Sequence, residues 1–206
     1  MKKLSSLPAR LQLGVCMLGI LALSARPSFC IEVMTSLTGK KPETSETNFS
    51  EAEVYNNLGI DLAERGNFPE AIAAFNRAIE INPSYERAYH NLGVTLTRHR
   101  KFPEAATAFK RAIEINPNDY DTYNDLGIAL GNQGKFSDAA NAFKRSIQIN
   151  PNEPSSHQNL GMALWSQGKL PEAIASLQKA RKLYLAENDA QAIQQIDRIL
   201  QQIKAP

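Results

Sequence analysis

The chain is predicted to be all-α, a solenoid of stacked antiparallel helix pairs. Three observations predict this. The first is a fixed period. The segments AFNRAIEINP (74–83), AFKRAIEINP (108–117) and AFKRSIQINP (142–151) recur, and Pro83, Pro117 and Pro151 stand 34 residues apart. The pairs Leu58-Gly59, Leu92-Gly93, Leu126-Gly127 and Leu160-Gly161 keep the same step. A period of this length marks supersecondary units that cannot bury their apolar faces alone and must stack. The second observation is helical spacing within each unit. Tyr55, Leu58 and Leu62 fall at i, i+3 and i+7, and Ala71, Phe75 and Ala78 at i, i+4 and i+7, one face of a helix in each half. The third is punctuation. Gly66, Gly134 and Gly168 separate the halves, with Arg100 in the glycine's place in the second unit. Pro69, Pro103 and Pro171 open the second helix, with Ser137 as the exception; there a missing N–H costs nothing. The Asn-Pro pairs close it.

Four frames follow, 52–85, 86–119, 120–153 and 154–187. Each opens on an aromatic or its stand-in: Tyr55, Tyr89, Tyr123 and His157. Small residues recur at Ala71, Ala105, Ala139 and Ala173, and bulky ones at Phe75, Phe109, Phe143 and Leu177. Small residues return at Ala78, Ala112, Ser146 and Ala180. Gly59, Gly93, Gly127 and Gly161 lie inside a helix, where glycine costs ~1 kcal/mol against alanine. Their recurrence predicts a partner helix too close for a side chain. Together these positions resemble the tetratricopeptide repeat in length and signature, except that Leu185 stands where the fourth frame's last proline would be. The resemblance implies a right-handed superhelix, with first helices lining its concave side. It says less about function, because the same scaffold serves many processes.

Taken in order, the chain begins with a different kind of text. Lys2, Lys3 and Arg10 give a positive start, and no acid precedes Glu32. An apolar run, LQLGVCMLGILAL (11–23), is followed by small residues at Ala22-Leu23-Ser24. Residues 1–25 are therefore read as a cleaved signal peptide. The alternative is an uncleaved membrane anchor, although a spanning helix needs ~20 apolar residues. Val15 and Phe29 precede the cysteines Cys16 and Cys30, too bulky for lipid attachment. Cleavage would leave Cys30 without an internal disulfide partner. Residues 26–51, with the polar stretch TGKKPETSETN, are expected to be a flexible linker. Asn48-Phe49-Ser50 fits the short glycosylation pattern. At the other end, residues 188–206 carry Ile193, Ile196, Leu200 and Ile203 on one face behind a capping Asn188-Asp189. They are expected to form a helix that covers the last repeat's apolar face.

A partner is expected in the concave groove, on first-helix positions that packing leaves over. Asn57, Asn91, Asp125 and Asn159 precede the Leu-Gly pairs, and Asn56, His90, Asn124 and Gln158 stand one position earlier. An amide offers donors and an acceptor, which suits the backbone of an extended peptide. The resemblance implies the same, because asparagine ladders make such contacts in some members. Ile60, Val94, Ile128 and Met162 would add apolar pockets. Trp165 is either a groove anchor or packing for the final helix. Asp121, Asp125 and Glu53 disfavour the acidic chaperone tails that some members clamp.

The remaining classes are argued down. Lysine plus arginine number 23 against 21 acids, and removing the leader's three basic residues leaves the rest at net −1. That balance is poor for nucleic acid, although Arg98, His99, Arg100 and Lys101 form a basic knot. His90 and His157 sit two frames apart, on the order of 20 Å at helix packing distances, so they cannot share a metal. No nucleophile with its base and no phosphate loop appears. The expectation is a non-enzymatic, cofactor-free exported adaptor in a periplasm, lumen or extracellular space, with a protein or peptide partner. Membrane association would follow only if the leader were retained. The alternatives are a helical-repeat nucleic-acid reader and a self-associating structural protein, a homo-oligomer.

Overall fold

The computed structural model describes residues 44–204. The signal-peptide reading, both cysteines and most of the expected linker lie outside them. The chain divides into two units between Glu51 and Ala52, and the repeats belong to the second. All regular structure among the described residues is helical: α1 (Thr44–Glu64), α2 (Phe68–Ile81), α3 (Glu86–Arg98), α4 (Phe102–Ile115), α5 (Tyr120–Asn132), α6 (Phe136–Ile149), α7 (Pro154–Ser166), α8 (Leu170–Ala186) and α9 (Ala190–Lys204). α1 starts inside the stretch expected as linker. Between Pro42 and Gly59 no glycine or proline interrupts the chain, so nothing in it stops the helix from running back past the first frame. Among the described residues, no helix is long and apolar enough to cross a membrane.

The turns obey the local chemistry. Gly66, Gly134 and Gly168 take φ of 79°, 76° and 74°, and Arg100 takes 61° at the equivalent place. Arginine there bears a Cβ clash that glycine avoids. The second helix of each of the first three repeats ends on an asparagine whose N–H donates to a carbonyl four residues back: Asn82 to Ala78, Asn116 to Ala112 and Asn150 to Ser146. The same side chains accept from the N–H two residues on, at 3.1 Å from Ser84, 3.3 Å from Asn118 and 3.2 Å from Asn152. The asparagine thus bonds across the proline that stops the helix.

Packing follows chain order. α3 lies on α4, α5 on α6 and α7 on α8, and each second helix packs on the next first helix. The seam within a repeat is a glycine facing an aromatic ring. A Cβ built on Gly59, Gly93 or Gly127 would sit 2.6, 2.6 or 2.4 Å from Cε1 of Phe75, Phe109 or Phe143. In the fourth repeat a Cβ on Gly161 would meet Leu177 Cγ at 2.7 Å. The rings are buried in one continuous core with Leu92, Leu96, Leu126, Leu130, Leu160 and Leu164. Leu58 departs from this pattern at 45% exposure, against 9% for Leu92. Leu92 borders the groove that α2 makes with α3, whereas among the described residues no repeat precedes α1.

α9 closes the other end. Asp189 Oδ1 accepts from the Ala192 N–H at 2.9 Å. Ile196, Leu200 and Ile203 are buried with Leu177 and Ala180 of α8. Arg181 of α8 holds Asp197 of α9 through two hydrogen bonds, of 2.6 and 3.1 Å.

Candidate functional site

Successive first helices touch, α3 with α5 and α5 with α7, more closely than successive second helices do. First helices therefore line the inner side of the stack. The predicted groove residues are brought together there, but first of all with one another. Asn91 Nδ2 donates to Asn56 Oδ1 at 2.9 Å, and Asn159 Nδ2 donates to Asn124 Oδ1 at 3.0 Å. His90 Nε2 lies 3.6 Å from Asp125 Oδ2 in the equivalent pair. Each rung joins positions 35 apart, one repeat plus one residue, so it ties a repeat to its neighbour. Asn56 is 3% exposed and also donates to Asn57 Oδ1 at 3.4 Å, so its amide belongs to the ladder. Asn57 is exposed, while Asn91, Asn124, Gln158 and Asn159 are half-buried. An amide can make more bonds than one rung uses, which leaves capacity on the open side. Gln158 occupies the rung position of the fourth repeat, which among the described residues is followed by α9 and not by another helix pair. Trp165 is half-buried and packs against both the main core and the α9 cluster.

The middle rung differs in chemistry. Around His90–Asp125 stand Glu86 at the start of α3, and Asp119 and Asp121 at the start of α5. Burial pushes the Asp125 carboxyl up to about 6, with Asp121 and Asp119 adding to the rise and His90 opposing it. Burial, then Asp119, also raises Glu86, against His90 and Arg87. Burial, Asp119 and Glu153 raise Asp121, against a hydrogen bond from Tyr120 and the charge of His90. Asp119 and Glu153 have local duties, because they cap α5 and α7 by accepting from the N–H of Asp121 and Ser155. Asp125 sits in mid-helix and caps nothing.

One ligand atom each from Glu86, His90 and Asp119 lie within 4.8 Å of one another. Sequence reasoning weighed His90 only against His157 and did not see this grouping. Hydrogen bonds account for two of its three members. His90 Nδ1 contacts Thr122 Oγ1 at 2.8 Å, and that hydroxyl donates to Asp119. A carboxylate, a hydroxyl and an imidazole in line suggest an activated nucleophile, but Thr122 is 0% exposed and its oxygen cannot meet a substrate. The arrangement supports binding.

Beside the Asn124–Asn159 rung, a pocket of about 220 Å³ opens between α5 and α7. Ile128 and Met162, expected from sequence to make apolar pockets, form its walls, and Phe143 lies beneath. Two of its polar neighbours bond back to their own helices: Asn132 donates to Ile128 O at 2.9 Å and Ser166 to Met162 O at 3.1 Å. Gly131 leaves room, since a Cβ there would meet only Ala139 Cβ, at 3.9 Å. Larger furrows run between second helices on the opposite side, about 770 Å³ beside Ile72, Ile79 and Leu92 and about 450 Å³ beside Ile147 and Leu160. Sequence reasoning missed these. Their signal was the isoleucine repeating at Ile79, Ile113 and Ile147. The basic knot is partly engaged, with Arg98 over the Phe68 ring at 5.7 Å and Arg100 over Phe102 at 6.0 Å.

Residues 50–118 and 124–193 each match a family model described as tetratricopeptide repeat. The chain is similar in structure to MamA, with 25% identity over 67% of this chain and 81% of that one, at a TM-score of 0.64. MamA from Desulfovibrio magneticus RS-1 superposes at 22% identity over 68% and 78%, TM-score 0.63. YrrB, a TPR protein with an unusual peptide-binding site, superposes at 21% identity over 77% and 89%, TM-score 0.58. A comparison with curated proteins returned no match.

Proposed function

The chain belongs to the tetratricopeptide repeat family, and from that premise we propose that it is an exported adaptor holding a peptide or protein segment against the inner face of its repeats. Such an adaptor supports assembly or maintenance of a multiprotein complex. The fold is that of a protein-interaction scaffold. The observation that carries the groove reading is the row Asn57, Asn91, Asp125 and Asn159, one per repeat, beside the Ile128–Met162 pocket. Polar groups at a regular step match the backbone of an extended segment, and an apolar pocket adds side-chain selection. A peptide-binding role, as in YrrB, suits that arrangement. Export rests on the leader at residues 1–25.

The test is affinity capture from the cells that make the protein, with the mature N-terminus sequenced from the same sample. Wild type is set beside Asn57→Ala/Asn91→Ala and beside the outer-face variant Lys110→Glu. The expected result is a processed N-terminus and a partner lost only with the groove variant. A partner lost only with Lys110→Glu would move the site to the outer furrow. An N-terminus still at Met1 would replace export by a retained anchor.

A further inference from the structure

The inner face is not uniform, and its two unlike parts are adjacent. Asp125 precedes Ile128 by three residues on α5, so the acid and the pocket wall are neighbours on one helix face, about 5–6 Å apart between Cβ atoms. Two features occur only at this repeat. Asp125 stands where the other repeats carry Asn57, Asn91 and Asn159, and Gly131 stands where they carry Ala63, Thr97 and Trp165. The first puts a charge on the rung row. The second opens the space that Ile128, Met162 and Phe143 enclose.

Together they define an occupant. The pocket's volume admits one aliphatic side chain, and two of the polar groups beside it bond back to their own helices. Against the Ile128, Met162 and Phe143 walls an apolar side chain is favoured, because a polar one would lose its hydration there. Next to it, Asp121 is exposed and Asp125 is half-buried. Among the described residues His90 opposes the charge of Asp121 and Asp125, and Arg87 joins it only at Glu86. In an extended segment, side chains on one side recur every second residue, about 7 Å apart, which is close to the spacing on α5. On the reading that the inner face is the binding groove, we propose that this stretch takes an extended segment with a lysine or arginine over Asp121 and Asp125 and an aliphatic side chain two residues away in the Ile128–Met162 pocket. The opposite orientation of charge is disfavoured, because a carboxylate would dock among carboxylates. Asp119 adds its negative charge beside Asp121 and Asp125, and an incoming cation relieves the repulsion among them.

The full chain is tested by selection from a random peptide library displayed on phage, followed by fluorescence polarisation with the selected peptide. The expected consensus is basic–any–aliphatic. Asp125→Asn should weaken it about tenfold, and Gly131→Trp, which copies the residue of the fourth repeat and fills the pocket, by at least as much. Raised salt should weaken the wild type more than Asp125→Asn. Thermal melts of both variants establish that they are folded. An acidic or neutral consensus, lost with Asn57→Ala/Asn91→Ala, would overturn this inference and leave the groove reading standing. A consensus insensitive to Asp125→Asn and Gly131→Trp but lost with Lys110→Glu would overturn both. So would the absence of any enriched peptide.

Discussion

The seam inside each repeat and the inner face across the repeats obey opposite rules. At the seam the same event happens four times: a glycine admits a ring, or in the last repeat a leucine, at a distance no Cβ tolerates. On the inner face the rungs change from amide pair to His90–Asp125 and back to amide pair. One surface must close against itself with little free volume, so its residues recur. The other faces solvent and whatever docks there, so its residues are free to differ. Periodicity therefore locates the core, and breaks in periodicity fall on the open inner face.

Several measurements would break or sharpen that contrast. The largest effect is expected at the seam. Phe109 is 1% exposed, and Phe109→Ala should cost about 3–5 kcal/mol in denaturant unfolding. Gly93→Leu should cost about 1–3 kcal/mol through overpacking. The double variant should lose less than the sum, because the leucine occupies space the ring vacates. Strict additivity would mean that the two residues do not share one contact.

Next comes the charged rung. The folded Asp125 carboxyl, at about 6, lies above the unfolded value. The folded state therefore binds more protons between roughly pH 4 and 6, and stability falls as pH rises through that window. The unfavourable contribution is complete above the folded value and fades on acidification. Asp125→Asn, which restores the residue of the other repeats, should thus stabilise by about 1 kcal/mol at pH 8, discounted for partial exposure. The advantage should vanish towards pH 4 in thermal melts at stepped pH. A pH-independent difference would place the effect in packing.

The smallest effect carries the opposite sign to the seam. Gly131→Ala meets only Ala139 Cβ, at an ordinary 3.9 Å, and should stabilise by about 0.5–1 kcal/mol through helix propensity. Gly127→Ala, four residues earlier on the same helix, should destabilise, since its Cβ would lie 2.4 Å from the Phe143 ring. Equal signs at the two sites would mean that the ring moves aside freely.

Much of this was legible beforehand because it is local or periodic. Leu92, Phe109 and Gly93 recur at a fixed step, and helical spacing places them on one face. Leu58 was less legible, because its burial depends on a neighbour that the first repeat lacks among the described residues. The start of α1 at Thr44 was also hidden, since polar composition suggested a linker where nothing breaks a helix. Trp165 had two readings on sequence grounds, and its position between two cores is a property of how α9 folds back.

The sequence by itself determined the all-α class, the four repeats and the glycine seam. These depend on residues close in the chain and on a period that repeats them. Only the tertiary structure decided that Asn56 is buried in the ladder, that His90 reaches both Asp125 and Thr122, and that Gly131 opens a pocket beside an acid. The ladder and His90 contacts join residues 32 to 35 positions apart. Their geometry depends on how far one repeat shifts and turns against the next, which no single repeat contains.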